Sequence, residues 1–461
     1  MKKSIIGPWS FYREALAIAL PVMAQQFIMS MVSLIDNFMV AGLGDVSMAA
    51  VNVANQLNFI CIVLINTICA AGGIYLAQFN GAKNTEGMKH ALRFKIIFAF
   101  LIATVYVIIC WVIPGPMIAM MTRGNAAQAE IIPIGTRYLK LVSFTFLFQA
   151  VSTAIGTSYR EIGKPKIPLI ISAIATLVNT VGNYFLIYGN FGAPRMEESG
   201  AAIATIIARI FEVICFVTFI YKTKPDFFVR LREIVLVNLK LVKEILSRSL
   251  MMFVSEISWV SSETIITALY NSRGGAEVVA GMAAGWTIAN VFFLIFNGIF
   301  TASTVIVGGT LGAGKLDEAR KKAGWISGGS VIAGTIVAIF GALLSLAVIP
   351  LVFSNLTAEA RSITIGLVGI ILLYMPMWSW LNSQFAISRA GGDTATGMIA
   401  DLSVNTIFFV PGAFILTFLT NIGPVGMYAI LKLSDFIKIV ICQRLMKKER
   451  WVKNLASEDI V

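Results

Sequence analysis

The sequence predicts an all-α integral membrane protein, with twelve transmembrane helices in two pseudo-symmetric six-helix bundles. Three observations carry that reading. The 461 residues are 57% hydrophobic and 13% charged, whereas soluble domains are about 25% charged. Twelve apolar segments are long enough to cross the roughly 30 Å hydrocarbon layer at 1.5 Å per helical residue. Motifs in the first half return in the second at a nearly constant offset, the mark of an internal repeat.

In chain order, the spans fall at roughly 14–41, 47–79, 92–113, 132–158, 167–188, 199–221, 244–270, 276–310, 320–350, 362–388, 395–419 and 424–443. Turn chemistry separates them: Pro114 and Pro116 around Gly115, Gly163 before Pro165, Asn190 to Pro194, and the pair Gly391 and Gly392. Residues 222–243 are charged and amphipathic, and are read as a cytoplasmic linker with an amphipathic helix. They divide an N-lobe, 1–221, from a C-lobe, 244–443, and 444–461 forms a cytoplasmic tail. The loop after span 2 holds Gly81 and Glu86, and the loop after span 8 holds Gly312 and Glu318; the offsets are 312 − 81 = 231 and 318 − 86 = 232. Arg160 and Arg389 stand 229 apart (389 − 160), and Asp36 aligns with Glu263 at 227 (263 − 36). Two parallel repeats place the expected substrate cleft between the halves.

The formal net charge of +12 would suit nucleic acid, but its distribution points elsewhere. Roughly 27 of the 36 Lys and Arg fall on one side of the twelve spans and about six on the other. The rich side holds Lys2, Lys3 and Arg13, the loops around Lys83, Lys164 and Lys315, the linker, and the tail from Arg444 to Lys453. Both termini are therefore expected in the cytoplasm of a multi-pass membrane protein. The N-terminus lacks a signal-type cleavage site, so the first span is expected to stay.

Asp36 is the residue in span 1 that does not suit lipid. A carboxylate in hydrocarbon costs several kcal/mol unless neutralised, paired or wet, which makes it a functional candidate. Gln25, Met29 and Ser33 precede it at helical steps and share its face. The plainer alternative is an acid satisfied between helices. Span 5 puts Asn179 and Asn183 one turn apart, and span 6 gives Ala201 and Thr205 the same relation. With Asp36 they offer a carboxylate, amide oxygens, a hydroxyl and a carbonyl, the hard oxygen set that suits Na⁺. Interhelical hydrogen bonding, worth about 0.6 kcal/mol per pair, is the alternative reading of the same residues.

Span 7 sets Glu256, Trp259 and Glu263 on one stripe, and span 8 adds Trp286 and Asn290. Acids with aromatic walls suit amphipathic organic cations, since a cation–π contact is worth about 0.5–2 kcal/mol. Ordinary packing also produces such stripes. An enzyme is not expected: His90, the only histidine, lies in a basic loop, and no nucleophile–base pair or metal spacing is present. Gly309 to Leu316, GTLGAGKL, misses the P-loop pattern at Leu316 and follows no strand. The five cysteines form no CxxC and read as small hydrophobes.

These motifs together, Pro21 and Asp36 in span 1, the GAKN and GAGKLDEA loops, and GTSYREIGKPK with ISRAGGDT, resemble the multidrug and toxic compound extrusion (MATE) family, and its DinF-like branch most closely. The resemblance covers about residues 10–445. It implies an inner-membrane antiporter, acting as a monomer without cofactor, that exchanges H⁺ or Na⁺ for amphipathic, mostly cationic organic compounds by alternating access. The DinF-like cation site maps onto Asp36, Asn179, Asn183, Thr205 and the Ala201 carbonyl. Family members often carry aspartate where this chain has Asn183, which leaves the site a single acid. The NorM-like site on spans 7 and 10 falls at Trp259 and Trp378 and does not transfer. A flippase for lipid-linked oligosaccharide is the alternative; arginines would be expected to line its cavity, whereas the acids dominate here.

Overall fold

The computed structural model describes residues 5–457, which are helical with no strand among them. Lys2 and Lys3, counted above on the positive side, and 458–461 of the expected tail lie outside the described residues. The helices are α1 (Trp9–Ala41), α2 (Asp45–Gly81), α3 (Thr85–Val112), α4 (Pro114–Met121), α5 (Gln128–Glu161, stepping at Phe144), α6 (Lys166–Tyr188) and α7 (Glu197–Thr223). They continue as α8 (Leu239–Asn271), α9 (Ala276–Gly312), α10 (Leu316–Val352), α11 (Ala358–Ala390), α12 (Ala395–Leu419), α13 (Pro424–Lys432) and α14 (Asp435–Met446).

Ten of these are long and apolar enough to span a bilayer. α8 has the length but carries charge, and the last span is broken between α13 and α14 at Leu433 and Ser434. These two elements lie where the seventh and twelfth spans are expected. α10 shows how such a helix meets lipid: Ile332, Ile336, Ile339, Phe340, Leu343 and Leu346 are exposed large hydrophobics, a face that water would penalise and hydrocarbon accepts.

Two local expectations are corrected. Pro114 to Pro116 begins the short helix α4 instead of a turn, because proline lacks only an N–H that a first helical turn leaves unused. The linker 222–243 holds a single 3₁₀ turn, Leu231–Glu233, and its amphipathic stretch becomes the start of α8 at Leu239. π-helical turns interrupt α9 at Thr304–Gly308 and α12 at Asn405–Phe409.

The described residues form two compact units, 24–80 with 84–246, and 5–23 with 81–83 and 247–457. In the N-terminal unit, one core gathers Val40, Ala54, Ile118, Leu139 and Ile187, and another joins Cys61, Ile65, Ala103 and Ala150. Four of the five cysteines are buried and all are free, consistent with packing roles. In the C-terminal unit, one core joins Tyr270, Met282, Phe292, Leu367 and Trp378.

Candidate functional site

The site in the N-terminal unit begins with how closely α6 and α7 pack. A Cβ on Gly182 would meet the Ala204 Cβ at 3.1 Å, and one on Gly200 would meet the Leu186 backbone. Small residues of this kind let helix backbones approach in a membrane, and the approach brings Asn179 and Asn183 against Thr205 and Asp36. The Asn183 amide nitrogen donates to Asp36 Oδ1 at 2.7 Å. With its nitrogen facing Asp36, the Asn179 amide donates to Oδ2 at 3.0 Å, and its oxygen lies 3.1 Å from Thr205 Oγ1. Thr205 Oγ1 is also 2.9 Å from the Ala201 carbonyl. Asn179 and Asn183 are buried, and the Asn183 side-chain oxygen has no hydrogen-bond partner. A buried acceptor left without a donor costs about 1–3 kcal/mol, and a cation is the kind of partner that would satisfy it.

Asp36 differs from six other buried or half-buried acids in what faces it. Glu161 pairs with Lys95 at 2.7 Å, Glu212 with Arg209 at 2.7 Å, and Glu256 with Arg389 at 3.2 Å. Lys438 pairs with Asp401 at 3.2 Å and Asp435 at 3.4 Å, and Glu263 pairs with Lys432. Among the described residues no lysine or arginine pairs with Asp36; amides hold it instead. A single negative charge on neutral donors is compensated by a mobile cation or proton more readily than one locked to a fixed cation.

Asp36, Asn179, Asn183, Ala201 and Thr205 line a cavity of about 710 Å³ within this unit. Met29 and Ser33 line it too, on the turns before Asp36. Gln25 lies outside: its amide donates to Ser172 at 2.9 Å and accepts from Arg160 at 2.7 Å, and Ser172 donates to Glu212 at 2.8 Å. α2 supplies Asn52, Asn55, Gln56 and Phe59, and α7 supplies Arg209. The sequence reading passed over these α2 residues, although their i, i+3, i+4 spacing in an apolar segment was the available signal; averaged hydropathy over 37 residues hides three amides.

The remaining candidates lie in the C-terminal unit. Glu256 and Glu263 are ion-paired as described, so neither presents a free carboxylate. Trp259 is 49% exposed. Trp286 donates to the Tyr270 hydroxyl at 3.2 Å, and Asn290 is exposed on the same helix. Lys438 pairs with Asp435 one turn away on α14, whereas Lys432 reaches Glu263 on α8. Among the described residues no group of His, Cys, Asp and Glu is placed to hold a metal ion.

A bundle of spanning helices with a polar cavity and an unpaired carboxylate in it defines a membrane transporter. The chain belongs to the MatE family, a family of transporters and not of enzymes: the family model matches residues 21–185 and again 252–415. The two matches start 231 residues apart (252 − 21), the spacing at which the loop motifs recur. The chain is 24% identical over 333 residues to a probable multidrug resistance protein NorM of Neisseria meningitidis serogroup A, covering 71% of this chain and 70% of that one. It is 23% identical over 417 residues to a Thermotoga maritima protein of the same description, covering 90% and 87%. It is 23% identical over 431 residues to the probable multidrug resistance protein YoeA of Bacillus subtilis, covering 91% and 90%. Its fold matches a mutant of the Vibrio cholerae MATE transporter VcmN with a TM-score of 0.83 at 15% identity, covering 96% and 98% of the chains. It matches a MOP superfamily transporter from Pyrococcus furiosus with a TM-score of 0.81 at 17% identity, covering 97% of both.

Proposed function

We propose that this chain is a multidrug efflux antiporter of the cytoplasmic membrane, with both termini cytoplasmic, acting as a monomer. It exchanges Na⁺ or H⁺ for small amphipathic organic cations by alternating access. The observation that carries this reading is the isolation of Asp36: a carboxylate on a cavity wall, held by the amides of Asn179 and Asn183 and by no fixed cation. Asp36 carries the coupling ion. For Na⁺, the oxygens of Asp36, Asn183, Asn179 and Thr205 with the Ala201 carbonyl supply the hard donors it takes; for H⁺, the carboxylate suffices. The ion set is the one that the resemblance to the DinF-like branch implies, with Asn183 as the departure. Ion and cargo act on each other because both seek one negative charge, or because each favours a different state of the transporter; equal affinity for both states would move nothing.

The test is dye efflux from proteoliposomes with Na⁺ and pH gradients imposed separately. The wild type is expected to expel ethidium under one of the gradients, and Asp36→Asn to lose that stimulation while remaining folded by thermal shift. Gradient-driven efflux at the wild-type rate in Asp36→Asn would overturn the assignment.

A further inference from the structure

The cavity wall formed by α2 carries information about cargo that Asp36 does not. Asn52, Asn55, Gln56 and Phe59 line the cavity at i, i+3, i+4 and i+7, a single helical face. Among the described residues, Asn52 and Gln56 make no side-chain hydrogen bond to the protein; nor do Asn37 of α1 and Gln149 of α5, which line the same cavity. Asn55 accepts one bond, from Asn58 at 3.3 Å, and its own amide nitrogen donates none. Amides that stabilise a fold are bonded to it, as Asn58 is to the Tyr106 hydroxyl at 2.8 Å. These five helix-borne amides instead hold their unbonded donors and acceptors open to whatever fills the cavity.

We propose that the cargo is a hydrogen-bonding organic cation, with an ammonium for Asp36 and hydroxyl or amide groups along one edge that pair with the α2 amides. The inference rests on the functional reading above and narrows its substrate class. The four helical steps from Asn52 to Gln56 rise about 6 Å, so the polar edge extends over about that length. Phe59 gives the far end of the face an apolar ring. Water satisfies the amides when the cavity is empty. A lipophilic cation without hydrogen-bonding groups displaces that water and leaves the amides unpaired, and a site built to hydrogen-bond its ligand discriminates strongly against an analogue that cannot.

The experiment is equilibrium binding to the purified full chain, with two probes of like charge. Puromycin, held at about pH 6 so that its α-amino group is protonated, is a monocation bearing hydroxyl and amide groups; tetraphenylphosphonium is a monocation with none. The wild type is expected to prefer puromycin. Replacing the face by Asn52→Leu, Asn55→Leu and Gln56→Leu together should weaken puromycin at least about tenfold, the scale of one buried polar group left unpaired, and should tighten tetraphenylphosphonium. Gln56→Leu alone, the less disruptive change, should shift the preference in the same direction by less. Asp36→Asn should weaken both probes alike, separating recognition of the charge from recognition of the edge. A wild type that prefers tetraphenylphosphonium overturns the inference, as does an α2 variant that weakens both probes by the same factor or neither. A wild type that binds neither probe overturns the functional reading and this inference with it.

Discussion

Lys432 on α13 and Glu263 on α8 form an ion pair, 169 residues apart in sequence, inside the C-terminal unit. The Lys432 ammonium also faces three aromatic rings, with centroids at 4.7 Å for Phe409, 5.4 Å for Tyr428 and 5.9 Å for Trp378. The Trp378 indole donates onward to Asp435 at 2.8 Å, and Lys438 links Asp435 to Asp401, which accepts from Ser255. The acid that alignment of the repeats sets opposite Asp36 is therefore tied to a fixed cation, while Asp36 is not.

Removing one member of that pair should harm the fold more than removing both. Breaking a buried ion pair from one side costs about 3–5 kcal/mol, whereas replacing both partners by apolar groups is often close to neutral. We expect Lys432→Met to lower the melting temperature in detergent sharply, and Lys432→Met with Glu263→Leu to recover most of the loss. A double variant no more stable than Lys432→Met would show that the pair is not the source of the effect.

Restoring a second acid beside Asp36 should sharpen ion dependence. Asn183→Asp places another carboxylate where an amide now donates at 2.7 Å; the two acids share a proton when no cation is bound, and a bound cation lets both ionise, taking the occupied site from one negative charge to two. Two unit charges 4 Å apart interact by about 4 kcal/mol at an effective dielectric of 20, and desolvation offsets part of that. A gain of about tenfold in cation affinity, about 1.4 kcal/mol, is the expected remainder. Thermal stability of the variant measured against Na⁺ concentration at fixed pH should rise more steeply than that of the wild type; equal slopes would remove Asn183 from the ion site.

The α6–α7 contact should be intolerant of size. With the Ala204 Cβ only 3.1 Å from where a Gly182 Cβ would sit, Gly182→Leu must push the helices apart, and overpacking of this sort costs about 1–3 kcal/mol. Asn179 and Asn183 would then move off Thr205 and Asp36. Loss of Na⁺- or H⁺-driven transport in Gly182→Leu, with a milder defect in Gly182→Ala, is the expected order, read by dye efflux from proteoliposomes. Full transport in Gly182→Leu would mean the spacing of these helices does not set the site.

The spans were legible because membrane helices announce themselves by length and apolar content, and the Asn179/Asn183 and Ala201/Thr205 pairs because helical spacing is local. What local spacing could not give was partner choice. Glu263 reads equally as a cargo ligand and as a fixed pair, and only the fold brings Lys432 to it. Gln25 shares a face with Asp36 in span 1, yet its amide is taken by Ser172 and Arg160 from two other helices. The α2 amides sat in plain view at i, i+3 and i+4 but were outweighed by their apolar neighbours. Pro114 misled because the same residue that stops one helix can open the next.

The wide turn at Asn405–Phe409 in α12 fixes the azimuth of everything beyond it. A π turn accommodates one surplus residue within an otherwise α-helical rod, and a single residue corresponds to about 100° of rotation at 3.6 residues per turn. Deleting one position there would let the rod relax to ordinary winding and swing the Val410–Leu419 segment around its own axis. Phe409 would then turn away from Lys432. The ammonium would lose its nearest ring without any charged group having been altered.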